Sequence, residues 1–316
     1  MKAIIINKYG ATSELVMANI NRPQPGRGQV LIKTKAISIN PIDYKTRQGS
    51  GIAFLLKDKF PKILGWDVAG IVDVVGLGVT NFSKGDCVFG MLRFPDESAC
   101  YAEYVVADVN EIAAVPSDIS MIEAAATTLA ALTALQALTQ MKVQPGRTIL
   151  IQAAAGGVGH FAVQLAKLYR LRIIATGSKN NRDYVMSLGA DHYIDYQDTN
   201  AFSNIVDGSI DYVIDGIAGK VGADTIKLVS HDGIICILPV EHAEPVLEKA
   251  EMLGIKVILF RVTPSSSDML TLATYLARKQ LIPKTEHTFD FSDTAIQHAH
   301  KIIEKGHISG KIVITI

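Results

Sequence analysis

The chain has no surplus of charge, few cysteines and no obvious membrane anchor. Its 316 residues carry 31 basic and 31 acidic side chains, a formal net charge of zero. A general nucleic-acid binder leaves a basic footprint, so no nucleic-acid partner is expected. The three cysteines, Cys87, Cys100 and Cys236, are far apart, odd in number and contain no CxxC pair. They define neither a disulfide framework nor a thiolate zinc cage, and they read as free thiols in a reducing compartment. The N-terminal apolar run, Ala3 to Ile6, ends at Asn7 and Lys8, too short for a signal-peptide core. No apolar run reads as long enough to span a bilayer. A cytoplasmic protein without a membrane partner is the expectation.

What is present is a globular composition: 48% hydrophobic residues, 20% charged and 25 glycines. A chain of this length holds one large or two ordinary domains. The first 115 or so residues read as β-rich. Short apolar runs at 3–6, 30–39, 68–76 and 102–108 are separated by turn signals such as PQPGRG (23–28) and SKGD (83–86). Such punctuation predicts a barrel-like or sandwich β domain.

The texture changes near Pro116. Residues 120–141 are rich in Ala, Leu and Met, with Ser120 and Glu123 spaced as a capping box, and predict a helix. Strand and helix patterns then alternate. Six strands (148–152, 172–176, 192–196, 212–215, 233–239, 256–260) are interleaved with helical segments, which predicts a doubly wound parallel sheet. The last 50 residues revert, with helices near 266–279 and 292–305 and strands near 284–290 and 311–316. This tail is expected to return to the first domain. The division is therefore a discontinuous 1–117 with 264–316, and an inserted 118–263.

The main chemical signal is the segment 149–167. A strand ends at Gln152, a turn holds Gly156, Gly157 and Gly159, and a helix begins. Glycines let the backbone approach a pyrophosphate, whose charge then rests on open N–H groups at the helix start. Ala153 stands where the fingerprint usually has its first glycine. His160, next after Gly159, reads as a partly exposed residue of the helix start. At the end of the second strand an NAD site would present Asp or Glu to the ribose. Here the sequence offers Ser178, Lys179 and Arg182 instead, a hydroxyl and two cations that suit a 2′-phosphate. NADPH is the expected cofactor; a solvated loop and helix start is the other reading of Lys179 and Arg182.

Taken together, these blocks resemble the medium-chain dehydrogenase/reductase superfamily, in its zinc-independent quinone oxidoreductase branch. The likeness runs over nearly the whole chain. It rests on SINPIDYKTRQG (38–49), LGWDVAGIV (64–72), GDCVFG (85–90), EAAATTLAALTALQAL (123–138), AAAGGVG (153–159), LGADHYIDY (188–196) and GKIVI (310–314). It implies an α/β protein: a GroES-like β-barrel catalytic domain, a Rossmann doubly wound domain that binds NADP, and a homodimer formed through the Rossmann domain. Zinc alcohol dehydrogenases place a Cys near residue 40 and a Gly-His-Glu block near residue 65. This chain reads Asn40-Pro41-Ile42-Asp43 and Gly65-Trp66-Asp67 there, and it lacks the four-cysteine lobe. A zinc ion needs three or four N, S or O ligands, so no metal site is expected.

A reductase without a Lewis acid must hold developing oxyanion charge by hydrogen bonds, which favours quinones and α,β-unsaturated carbonyls as substrates. The resemblance carries Asn40 over as a positioning amide and Tyr44 as a hydroxyl near the substrate. Tyr44 is either proton donor or wall; Asp43 either orients its neighbours catalytically or only braces the loop. Phe54 and Trp66 are pocket walls or core. For the cofactor the resemblance implies Thr133 on the nicotinamide side and Ala154, Ala155, Gly156, Gly157, Val158 and Gly159 along the pyrophosphate. Ser178, Lys179, Arg182 and Tyr196 would surround the adenosine phosphate, with Leu238 and Phe260 lining the nicotinamide half. Lys311 is either near the cofactor cleft or at a solvated strand end. The alternative function is an NADPH-binding protein with little turnover.

Overall fold

The computed structural model describes residues 1–56, 59–198 and 200–316. In the segment 49–62, which carries the candidate wall residue Phe54, positions 57 and 58 therefore lie outside the described residues. Contacts divide the chain into two compact units, Met1–Leu132 with Thr263–Ile316, and Thr133–Val262. The first boundary falls inside a helix, past the change of texture near Pro116 that suggested 117/118.

The first unit begins with β1 (Lys2–Ile6), β2 (Val16–Asn19), β3 (Gln29–Ile39), α1 (Pro41–Arg47), β4 (Lys62–Ile63), β5 (Asp67–Val75), β6 (Cys87–Met91), β7 (Tyr104–Asp108) and β8 (Ile112–Ala114). The helix α2 (Met121–Gln140) follows. Its capping box forms as expected, with Ser120 N donating to Glu123 Oε2 (2.9 Å) and Glu123 N to Ser120 Oγ (3.2 Å). α2 is long and apolar enough, by length and composition, to cross a membrane, against the expectation that no run would be; 72% of that window is buried in the protein. Alanine and leucine on every face make it a core helix.

The second unit is built from β9 (Thr148–Ile151), α3 (Gly159–Leu168), β10 (Arg172–Gly177), α4 (Arg182–Ser187), β11 (His192–Asp195), β12 (Ile210–Asp215), α5 (Gly219–Thr225), β13 (Val229–Ile237), α6 (Glu244–Leu253) and β14 (Lys256–Leu259). All six strands are parallel, in the order β11-β10-β9-β12-β13-β14. The order reverses between β9 and β12, beside the carboxyl end of the first strand, where open α/β sheets hold their ligands.

The tail adds α7 (Ser266–Ala277), β15 (Thr285–Asp290), α8 (Asp293–Lys305) and β16 (Lys311–Thr315) to the first unit. There β3 organises the barrel-like sheet. One edge pairs antiparallel with β5 over Val30 to Ala36, while the other is shared by β7 (at Gln29–Lys33) and β16 (at Ala36–Ile39). Register shifts against β5 between Leu31 and Ile32, and between Thr34 and Ala36, bend the strand where its partner changes. β15 and β16 run parallel, so the tail enters the sheet through β16, as its expected return requires. α8 starts at a Ser292 cap and buries Ile296, Ala299 and His300.

Candidate functional site

The polar cluster of the first unit grows out of the junction between β3 and α1. Pro41 at the first helical position fixes the entry into α1. Asp43 then reaches back so that its Oδ2 accepts the Asn40 backbone N–H at 2.7 Å. With its backbone held, the Asn40 side chain turns toward two other strands. Its Nδ2 donates to Asp67 Oδ2 on β5 (2.8 Å), and its Oδ1 accepts from Lys311 Nζ on β16 (2.5 Å). Asp67 Oδ1 in turn accepts the backbone N–H of Leu129, in the middle of α2, at 2.9 Å. Four stretches distant in sequence, the β3–α1 junction, β5, α2 and β16, thus meet in one cluster around the Asn40 amide.

All the ionisable members are buried. Burial pushes the Asp43 carboxyl up to about 7; the Asn40 amide opposes this, the Asp67 charge adds to it, and Tyr101 and Lys311 pull it back. Burial likewise pushes Asp67 up, with Lys311 as the strongest opposing influence. The Lys311 ammonium is pushed down by burial and held up by Asp67 and Asp43. Beyond Asp43, the Tyr101 hydroxyl faces the carboxyl and meets His300 Nε2 at 3.0 Å. Arg47 of α1, also buried, pairs with Glu304 of α8.

The expected residues separate in this unit. Asn40 and Asp43 come together. Asn40 is committed to buried partners on both ends of its amide. Asp43 braces Asn40 through the backbone. Tyr44, on the next position of α1, is half-buried, and its hydroxyl makes no hydrogen bond among the described residues. Trp66 is core: its indole N–H donates to Asp96 O (2.8 Å) and its ring meets Phe94 edge-on. Phe54 is 82% exposed, neither core nor an enclosed wall. Lys311 is no solvated strand end but part of the Asn40 cluster. Sequence reasoning does not single out Asp67, Tyr101 or His300. For Asp67 a signal exists, a carboxylate inside the apolar run LGWDVAGIV; Tyr101 and His300 carry none.

In the second unit the turn after β9 makes an anion cradle. Ala153 takes the left-handed conformation (φ +51°) at the fingerprint's first glycine position. A Cβ on Gly159 would run into the Ala153 carbonyl, so the last glycine is required by close backbone packing. His160 is fully buried, not partly exposed: its Nδ1 lies 2.9 Å from Gly156 O, and its backbone N–H donates to the same carbonyl. The backbone amides of Ala155, Gly157 and Val158 have no hydrogen-bond partner among the described residues. Three open N–H groups at the start of the ten-residue α3 fit a pyrophosphate. Ala154 is buried, its N–H spent on Thr176 O (2.9 Å).

At the carboxyl end of β10, Ser178 Oγ accepts from Asn181 Nδ2 (3.1 Å), leaving the hydroxyl proton free to donate. Its carbonyl accepts from Tyr193 OH (2.7 Å), a tyrosine that no sequence signal marks. Lys179 and Arg182 are exposed, and Tyr196 is brought alongside by its N–H donating to Gly177 O. Leu238 and Phe260 follow the carboxyl ends of β13 and β14, on the same edge of the sheet. Thr133 is buried on α2. Among the described residues no group of three or more His, Cys, Asp or Glu side chains is placed to hold a metal ion.

Two family models match the chain, the alcohol dehydrogenase GroES-like domain over residues 26–117 and the zinc-binding dehydrogenase over residues 188–314. Among curated relatives, a quinone-oxidoreductase homolog, chloroplastic, of Spinacia oleracea is 38% identical over 295 residues, covering 90% of this chain and 82% of that one. The NADPH-dependent alkenal/one oxidoreductase, chloroplastic, of Arabidopsis thaliana is 31% identical over 323 residues, covering 99% and 79%. Among solved structures, the quinone oxidoreductase from Coxiella burnetii superposes with a TM-score of 0.94 at 37% identity, covering 100% of this chain and 99% of that one. With its doubly wound unit, its anion cradle and relatives of this identity and coverage, the chain belongs to the quinone oxidoreductase branch of the medium-chain dehydrogenases/reductases.

Proposed function

We propose that this protein is an NADPH-dependent, zinc-independent oxidoreductase that passes hydride to a quinone or to the double bond of an α,β-unsaturated carbonyl. The observation that carries the reading is the cradle of three open amides, followed at the end of β10 by a hydroxyl and two cations with no carboxylate between Ala175 and Arg182. A nicotinamide cofactor belongs to the family; the choice of NADP over NAD is our reading of Ser178, Lys179 and Arg182. Tyr196 would flank the adenosine, and Thr133, Leu238 and Phe260 the nicotinamide. Bound NADPH supplies the hydride.

The protein's own part is to hold and to polarise. Asn40 keeps a fixed orientation because both ends of its amide are engaged, and Asp43 fixes its backbone. Tyr44 offers a hydroxyl without a partner among the described residues. Independence of zinc is supported by the donor set: the two blocks where zinc enzymes carry ligands supply Asn40, Asp43, Trp66 and Asp67 here. We read the chain as a homodimer through the second unit. Its edge strand β14 has one unpaired side, and Met252, Leu253 and Leu259 are exposed near it, with Met252 at 84%. The three free cysteines support a reducing compartment, which we take to be the cytoplasm. No nucleic-acid or membrane partner enters this reading.

The test is NADPH oxidation in excess chelator against one quinone, one short enone and one saturated aldehyde. Turnover of quinone or enone but not aldehyde is expected, with NADPH preferred to NADH and the preference reduced in a K179A/R182A variant. Tight NADPH binding with no turnover would favour the binding-protein alternative. Aldehyde reduction abolished by the chelator would overturn zinc independence.

A further inference from the structure

Lys311 is a buried cation whose contacts are only partly filled. It is 4% exposed. An ammonium carries three N–H donors. One donates to Asn40 Oδ1 at 2.5 Å. A second points to Ile39 O at 3.4 Å, too long for a strong bond. The third has no partner among the described residues.

Taking a charge out of water is costly, and a purely structural lysine in such a place is normally closed off by a carboxylate in direct contact. Lys311 is not. Its immediate neighbour is the neutral Asn40 amide, and Asp67 reaches only the far end of that amide, at Nδ2. The chain therefore balances the cation's charge at one remove and leaves an N–H free for an oxygen that it does not itself supply.

We propose that the Lys311 ammonium is a catalytic group of this protein, the donor that receives the acceptor's oxygen as negative charge develops on it. The proposal rests on the reading of the chain as a quinone or enone reductase. In that reaction hydride brings its electron pair to the β-carbon of the enone, forming a new C–H bond. The C=C pair shifts toward the carbonyl carbon, and the carbonyl π pair moves onto oxygen. The enolate oxygen then accepts the free Lys311 N–H. A proton from water adds at the α-carbon and the carbonyl is restored, so one NADPH and one proton are consumed and the acceptor gains two electrons. With a quinone the same cation would receive the oxygen of the hydroquinone monoanion. The Asn40 amide, both of whose ends are already bonded, orients the ammonium and is not itself the donor.

Two variants and one optical probe test this. K311M is expected to lower kcat/KM for the acceptor about 100-fold, the scale of losing one oxyanion donor, and K311R to recover part of it. The dissociation constant for NADPH, read from its fluorescence, should be unchanged in both. Without cofactor, wild-type protein titrated with 4-nitrophenol should select the phenolate, seen as growth of its visible band, and K311M should not. If wild type turns over the acceptor and K311M keeps its kcat/KM within threefold, Lys311 is not catalytic and the proposal falls while the reductase reading stands. Weakened NADPH binding with normal turnover at saturation would make Lys311 a cofactor ligand and overturn the proposal as well. Should K311M not fold, a wild type that shows no preference for phenolate over phenol overturns it. A wild type inert on every acceptor instead defeats the reductase reading, and the phenolate titration still judges Lys311.

Discussion

Tyr101 and His300 lie 199 positions apart in the chain and meet in the core of the first unit, hydroxyl to Nε2 at 3.0 Å. The contact uses the Nε2 side of the ring, with the Tyr101 hydroxyl as its partner. Nδ1 is left buried without a hydrogen-bond partner among the described residues. Protonating it would put a charge into the core, so burial pushes His300 down to about 3, with the Arg47 charge acting the same way.

The sign of the consequence follows from linkage. Unfolded, the ring titrates near its ordinary value; folded, it stays neutral, so His300 contributes stability above that value and loses it as pH falls toward 3. The loss amounts to about 2 kcal/mol between pH 7 and pH 5. His300→Gln keeps an N–H for Tyr101 but has nothing to protonate. Urea denaturation at the two pH values is expected to show the variant gaining about 2 kcal/mol on wild type as the pH drops. An unchanged difference would mean that His300 titrates in the fold as it does in the unfolded chain.

Asp43 works in the opposite direction. Its folded value of about 7 lies above the ordinary value of 3.8, so the folded state binds the extra proton between them. Stability from this group rises as pH falls from 7 toward 4, by about 2 kcal/mol between pH 7 and pH 5. Between pH 7 and pH 5 the contributions of Asp43 and His300 oppose each other and nearly cancel. Asp43→Asn removes the proton uptake while an amide oxygen remains to accept the Asn40 N–H. Its expected signature is a loss of about 2 kcal/mol relative to wild type as the pH drops from 7 to 5. A D43N protein whose pH dependence matches that of wild type would contradict the elevated carboxyl.

The phosphate turn separates two kinds of glycine requirement. At Gly159 the obstacle is space, because a Cβ would strike the Ala153 carbonyl. Gly159→Ala should therefore displace the turn and weaken NADPH binding more than tenfold. At Ala153 the issue is conformation alone, a left-handed φ of +51° that disfavours an L side chain by about 1 kcal/mol. Ala153→Gly relieves this but adds freedom to the unfolded chain, a comparable opposing effect of about 0.4–1 kcal/mol. Calorimetry should find its stability close to wild type, and fluorescence should find NADPH binding kept.

Much of this architecture can be read from periodicity. The Ser120 and Glu123 box, the six alternating strands and the glycine turn are local signals, and each element stands within a few residues of its expected place. Strands as short as β4 and β8, held by neighbours rather than by their own pattern, carry no such signal. Direction is the second thing a sequence conceals. Trp66 and Phe54 are both aromatic residues near the expected pocket, yet one is core and the other exposed, because packing and not residue type sets which way a ring points. The Asn40 cluster draws on β3, α1, β5, α2 and β16, and spacing along the chain carries no measure of such convergence. His160 departs from its expected exposure for a related reason: the helix start it occupies is covered by the fold.

The coupling between Asp67 and Lys311 can be measured without any reaction. Each is buried, their ionised forms are of opposite charge, and the Asn40 amide bridges them. Removing one leaves the other uncompensated, which typically costs about 3–5 kcal/mol. D67N and K311M are each expected to destabilise on that scale. In the double variant no unbalanced charge remains from the pair, and the introduced methionine fills the volume of the lysine stem. Its loss should then be smaller than the sum of the two single losses by about 1–3 kcal/mol. Denaturation of all four proteins at pH 7 closes the cycle. Strict additivity would mean that Asp67 and Lys311 do not feel each other through Asn40, and that the charge of Lys311 is balanced by Asp43 alone.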